Sequence, residues 1–241
     1  MSGGVARALD VSYCPSSPHY KTGEFESAGP SLWWRVLRRQ LRITPALSGR
    51  LLQLRQRLAE APTAAHDDPD LLWAAVALIV SPSPDSLLLI QRAERPGDPW
   101  SGHVALPGGR RDPEDFDLLA TALRETSEEV GISLSREMLV GALADVVPRI
   151  PTLPPIAVRP FLLAVPHRPA LILNPEVAAA TWVSLEELLR PEAHRQVVVD
   201  IHDNSREVWA YLLEAGVVWG MTERILTGLV DHFRQVRSEE S

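Results

Sequence analysis

The sequence predicts an α/β protein of the α+β kind, in which a mixed sheet is covered by helices on both faces and preceded by a partly helical extension. Two runs, LLWAAVALIV from Leu71 to Val80 and SLLLIQR from Ser86 to Arg92, are too apolar to leave a wet face and read as strands of a buried sheet. Two later segments have the helical period: DFDLLATALRETSEEV, and a C-terminal stretch that places Ile225, Leu229 and Phe233 on one side. Strands and helices do not strictly alternate, which argues for a mixed sheet rather than an all-parallel one.

The N-terminal stretch before Ser31 is rich in Gly, Ser, Pro and Tyr, has no hydrophobic period, and reads as a lead-in. Helices are expected in SLWWRVLRRQL and in PALSGRLLQLRQRLAEA, where Thr44 and Pro45 suit a first turn. Trp33 and Trp34 read as packing onto their own domain, with a membrane-surface or partner face as the alternative. The polar, proline-bounded PTAAHDDPD marks a boundary, dividing an extension over 1–65 from a main domain over 66–241. In that domain, strands are expected at His103 to Leu106, Gly141 to Val147, Ile156 to Val165 and Ala180 to Ser184. Helices are expected at Asp117 to Val130, Ser184 to Leu189 and Thr222 to Val236, with Gly131 as a left-handed stop after the first.

Whole-chain properties exclude several function classes. With 45% hydrophobic and 23% charged residues, the 241-residue chain can bury a full core around one main unit. A net charge of −7 argues against capture of bulk nucleic acid, which needs clustered cations facing the phosphates. Cys14 is the only cysteine, so there is no internal disulfide and no thiolate metal cluster. A reducing compartment follows: the cytoplasm is expected, with the mitochondrial matrix as the alternative. The longest apolar run is too short to cross a bilayer, so no membrane partner is expected. Extra apolar surface in the N-terminal helices and in the Trp219 to Phe233 segment points to a homodimer.

The chemistry concentrates between Gly108 and Ile132. Glu125, Glu128 and Glu129 share one side of the expected helix, because residues three and four apart are neighbours. Such carboxylates repel one another unless a cation joins them. Before them, Gly108 and Gly109 permit a backbone bend with free carbonyls, and Asp112, Asp115 and Asp117 are candidate helix caps. Carboxylates plus a carbonyl are the hard oxygen ligands that Mg²⁺ takes, and Arg124 can pair with Glu128 one turn on.

The segment GGRRDPEDFDLLATALRETSEEVGI resembles the Nudix box: Gly, five residues, Glu, seven residues, then Arg-Glu-apolar-any-Glu-Glu-any-Gly-apolar. Arg124 to Ile132 matches at every charged and glycine position, with Thr126 at the first apolar one. The first half is one residue longer and puts Asp115 at the first acidic position, which is similar to the coenzyme A pyrophosphatase branch. The resemblance implies a Nudix-type α/β/α sandwich. It further implies that Glu128 and Glu129 bind Mg²⁺ or Mn²⁺, that the Gly109 carbonyl is a further ligand, and that Glu125 is a ligand or water-activating base. The implied reaction is attack of water on one phosphorus of a small-molecule diphosphate.

Arg92, Arg110 and Arg111 are candidates to clamp phosphate oxygens, with ordinary salt-bridge roles as the alternative. His103 is a candidate substrate contact or a strand cap, and Glu176 a distal carboxylate or a helix cap. Trp100 reads as packing, with stacking on a substrate as the alternative. Upstream, RPGDPWSGHVALPGG departs from the lead that marks the coenzyme A branch. Three readings therefore compete: hydrolysis of coenzyme A or a related dinucleotide or sugar nucleotide, hydrolysis of nucleoside triphosphates, and a non-catalytic Nudix-fold regulator. The last would lack box glutamates, and here all three are present.

Overall fold

Strand β1 (Leu72–Ser81) lies at the centre of a seven-stranded mixed sheet. The computed structural model describes residues 47–60, 71–82, 84–98, 100–147, 156–201 and 204–239. The helix expected from Ser31 and the boundary segment over 62–70 lie outside the described residues. Parallel pairing joins β1 to β6 (Ile156–Ala164), from Leu72 opposite Ile156 to Val80 opposite Ala164. The other edge of β1 is shared. Near its start it pairs antiparallel with β4 (Gly108–Arg110), and at its end with β2 (Ser86–Arg92). β2 continues to β3 (Val104–Ala105) and β7 (Val177–Ser184), while β5 (Leu139–Ala142) lies outside β6.

Side-chain alternation along β1 explains why both faces are covered. Ala74, Leu78 and Val80 join the core beneath α1 (Gly49–Glu60) and α4 (Gly220–Glu239). Ala75, Ala77 and Ile79 join the core beneath α2 (Leu118–Val130). The result is an α/β/α sandwich. Helix α1 starts four residues later than expected: the Leu51 N–H donates to Ser48 Oγ at 3.4 Å and the Leu52 N–H to the Ser48 carbonyl at 3.0 Å. A serine that satisfies the first free N–H groups is a stronger start signal than a proline at position 45. Leu51, Leu54 and Leu58 then form its buried stripe.

Other differences have equally local causes. The double glycine, expected as a turn, is strand β4: a side chain at Gly108 (φ 151°) would collide with the Ala75 carbonyl and Val76, so only glycine lets it lie against β1. The strand expected over 141–147 stops at Ala142, and Val146 makes only an isolated bridge to Val158. After the short helix α3 (Leu185–Leu188), the chain forms an unexpected antiparallel meander of β8 (His194–Ile201), β9 (Asn204–Leu213) and β10 (Gly216–Trp219). Polar residues interrupt its apolar alternation, and its support comes from α4, where Ile225, Leu226 and Leu229 share a core with Tyr211 and Val218. Within the Trp219 to Phe233 segment, expected to offer surface to a second subunit, Ile225, Leu229 and Phe233 are buried in this core. No helix among the described residues is long and apolar enough to cross a membrane.

Candidate active site

Helix α2 begins where Asp117 accepts from the Ala120 N–H at 2.8 Å, and ends at Gly131 (φ 71°), whose N–H reaches the Ser127 carbonyl. Leu118, Leu119, Ala122 and Val130 dock on the sheet, and Thr126 is tolerated among them because its hydroxyl donates to the Ala122 carbonyl at 2.7 Å. Docking that stripe turns Glu125 and Glu129 toward β4. Glu129 is buried, and its Oε2 accepts the Gly108 N–H at 2.9 Å. The Glu125 carboxylate rests directly on Gly109, where any Cβ would overlap it. Glycine is required at 109 for the close approach of Glu125, and at 108 both for conformation and for the close approach of β1.

Arg124 ties the parts together. Its Nε and Nη2 donate to the two oxygens of buried Asp115 at 3.1 and 3.0 Å, and Nη2 also reaches the Arg110 carbonyl at 3.2 Å. Its Nη1 donates to Glu125 Oε1 at 2.9 Å and to Glu128 Oε2 at 3.2 Å. The expected Arg124–Glu128 pair is therefore one contact among several. Of the three candidate caps, Asp117 caps α2, while Asp115 accepts the Asp112 N–H at 2.9 Å and anchors Arg124.

The electrostatics divide the acids. The Arg124 guanidinium holds Asp115 down to about 2. Burial pushes Glu129 up to about 7, opposed by the Gly108 N–H and reinforced by nearby Glu125. Burial also raises Glu125, against the pull of Arg124. A buried, high-pKa carboxylate beside a second one is a group that a cation would stabilise. Oxygen-only donors suit Mg²⁺ or Mn²⁺. Among the described residues, no three acidic, His or Cys side chains already stand as a ligand cluster, since Glu128 is 54% exposed and held by Arg124. The donor chemistry fits such an ion, which Glu125, Glu128, Glu129 and the Gly109 carbonyl could hold.

The candidate substrate residues fall in different places. Arg92 pairs with Asp98 at 2.7 Å, its Nε is buried without a hydrogen bond, and its charge acts on Glu129. Arg110 and Arg111 are exposed on and after β4, where the Arg111 N–H donates to the Trp73 carbonyl at 2.9 Å. The His103 ring lies 4.6 Å from that of Trp219, and burial lowers its pKa. Trp100 is 43% exposed. Glu176 pairs with Arg95 at 3.1 Å while its charge also reaches Glu129. Asp98 and Arg95, which set Arg92 and Glu176, carry no sequence signal.

Arg159 was equally hidden. Strand register puts it in one row with Ala75 and Gly109, and it is locked by Asp145 at 2.8 and 3.0 Å over the Trp73 ring at 4.9 Å. One surface hollow is lined by Arg190 and Arg195 and another by Ser48 and Asp85; neither shares a residue with this site.

The NUDIX domain model matches residues 71–201. NudL, a Nudix hydrolase of Salmonella paratyphi B, is 34% identical over 171 residues, covering 70% of this chain and 86% of its own. A Schizosaccharomyces pombe protein is 43% identical over 122 residues, 47% of this chain, and this chain spans only 36% of that relative's length. The crystal structure of a MutT/nudix family protein from Enterococcus faecalis, 19% identical, covers 88% of this chain and 76% of its own with a TM-score of 0.49. With more than half of its length matched by the domain model, and with its glutamate helix docked on a double-glycine strand, this chain belongs to the Nudix hydrolase family.

Proposed function

We propose that this Nudix hydrolase uses Mg²⁺ or Mn²⁺ to split the P–O–P bond of a nucleoside-diphosphate-linked small molecule, coenzyme A or a related compound. The observation that carries this reading is the buried Glu129, fixed to the Gly108 N–H and lying beside Glu125 on Gly109. A carboxylate buried with one backbone N–H as its hydrogen-bond partner and a second carboxylate beside it is costly to ionise, and a cation would offset that cost. When bound there, the ion supplies charge neutralisation on the phosphate oxygens and lowers the pKa of water. The chain supplies the rest. Burial raises Glu125, the direction that suits a carboxylate accepting a proton from attacking water, while Glu129 would hold the ion. Arg124 aims Glu125 and Glu128, and the positive charge of Arg92 flanks Glu129, where an anionic diphosphate would lie.

The lengthened box, with GG, DP and D-F-D, supports the coenzyme A class, whereas the stretch ahead of Pro107 departs from the lead that marks that class and counts against it. The test is a product-resolved hydrolysis screen in Mg²⁺ across coenzyme A, ADP-ribose, NADH, diadenosine polyphosphates and nucleoside triphosphates, with Glu129→Gln alongside. Turnover of one diphosphate class that Glu129→Gln abolishes is expected. Turnover that survives the substitution near its original rate overturns the assignment, and inertness toward every compound favours a regulator.

A further inference from the structure

The strand β8 is an outer strand of the three-stranded sheet, and no strand pairs with its free edge among the described residues. Its register with β9 is unbroken from His194 opposite Tyr211 to Ile201 opposite Asn204. The strand HRQVVVDI therefore offers an open row of N–H and C=O groups without the proline, lysine or bulge that usually blunts an edge. Its centre is apolar and open, with Val198 68% exposed, and Trp209, which faces Gln196 on the same side, 52% exposed.

We infer that this edge pairs with the same edge of a second copy, joining two three-stranded sheets into one of six strands. Charge selects the orientation. A parallel in-register pair would set Arg195 on Arg195 and Asp200 on Asp200, a like-charge repulsion that an antiparallel pair avoids. Two-fold symmetry perpendicular to the sheet then requires a residue on the axis. With Val198 there, Val197 faces Val199 and the Gln196 amide meets the Asp200 carboxylate, twice over. Because Val208 is the β9 partner of Val197, the valines of both copies form one stripe across the opposite sheet face. The strand is thus complementary to itself, which a generic partner peptide would not be. Eight strand residues bury less than the roughly 1,200 Å² of a stable interface, so the dimer is weak and forms in the micromolar range.

Sedimentation velocity on the full chain from about 1 to 100 µM tests this surface, since those concentrations bracket a micromolar dissociation constant. The natural sequence is expected to pass from monomer to dimer, and Val198→Lys, which sets two like charges on the axis, to remain a monomer with unchanged thermal unfolding. In a Cys14→Ser background, V198C should give a disulfide-linked dimer on mild oxidation, because axis residues of paired strands lie about 4.5–5.5 Å apart at Cβ. A chain that stays monomeric at the highest concentration overturns the inference. So does a dimer that Val198→Lys leaves intact and V198C does not cross-link.

Discussion

The molecule buries two glutamates in opposite manners. Glu223, on the first turn of α4, accepts from Thr227 Oγ1 at 2.9 Å and lies 2.7 Å from His194 Nε2, while Thr227 reaches the Tyr211 hydroxyl at 3.1 Å and the His194 ring stacks on Tyr211. Side chains from two strands and a helix surround that acid, and the cluster staples α4 to the small sheet. Glu129 has instead a backbone N–H, with Glu125 and Glu176 near enough to raise its pKa further. A buried carboxylate whose hydrogen bonds are met by surrounding side chains holds the fold together. One buried with a single backbone N–H beside other carboxylates suits something that arrives from outside.

Exchanging the two acids for neutral groups should break or sharpen this contrast. Glu129→Gln is expected to lower Mg²⁺-dependent kcat/KM by about 10³-fold while leaving the midpoint of unfolding equal or higher, because it removes a buried charge. Glu223→Ala should do the reverse, keeping turnover within a few-fold and costing about 1–3 kcal/mol in urea unfolding. If Glu223→Ala silences turnover while Glu129→Gln only destabilises, the contrast is wrong. Arg124→Ala removes the group that aims Glu125 and Glu128 and leaves Asp115 buried without its partner. A loss of about 10²-fold in kcat with about 2 kcal/mol of stability is expected from parallel kinetic and denaturation measurements. Gly109→Ala drives a methyl into the Glu125 carboxylate and should reduce kcat about 10-fold. Gly228→Ala, in open space on α4, should be neutral or stabilise by up to about 1 kcal/mol in the same assays.

The smallest effects concern pH. Asp115 is held at about 2 in the fold, so its stabilisation is complete above its ordinary value of 3.8 and is lost as pH falls through about 2. Glu129 has the opposite sign. Its folded pKa of about 7 exceeds the ordinary 4.5, so without metal its contribution is full below 4.5 and disappears as pH rises through about 7. Thermal unfolding with and without Mg²⁺ should therefore show a larger metal-induced stabilisation at about pH 8 than at about pH 5, and Glu129→Gln should flatten that difference.

The acids on α2 were legible because helix period and capping act over a few residues. Asp117, the docking stripe and Gly131 are all local, and they place Glu125, Glu128 and Glu129 on one side with no knowledge of the rest. The strands β1, β2 and β6 were legible because a strand buried on both faces must be apolar throughout. What sits opposite the helix was not legible. That the double glycine is a strand, that Glu125 lies on Gly109, and that Asp115 rather than Glu128 is the main anchor of Arg124 all depend on β4 pairing with β1.

The small sheet escaped for the same reason: polar residues interrupt the alternation of its strands, and the apolar partners that make them fold there, among them Ile225, Leu226 and Leu229 of α4, come from elsewhere in the chain. The sequence by itself determined the family, the central strands and which acids share a helix face, because those follow from short-range periodicity and residue chemistry. The tertiary structure alone decided which of those acids is buried, what surrounds it, and that Arg159 stands in one row with Gly109. Burial and strand order are properties of segments brought together from far apart in the chain, and no local pattern encodes them.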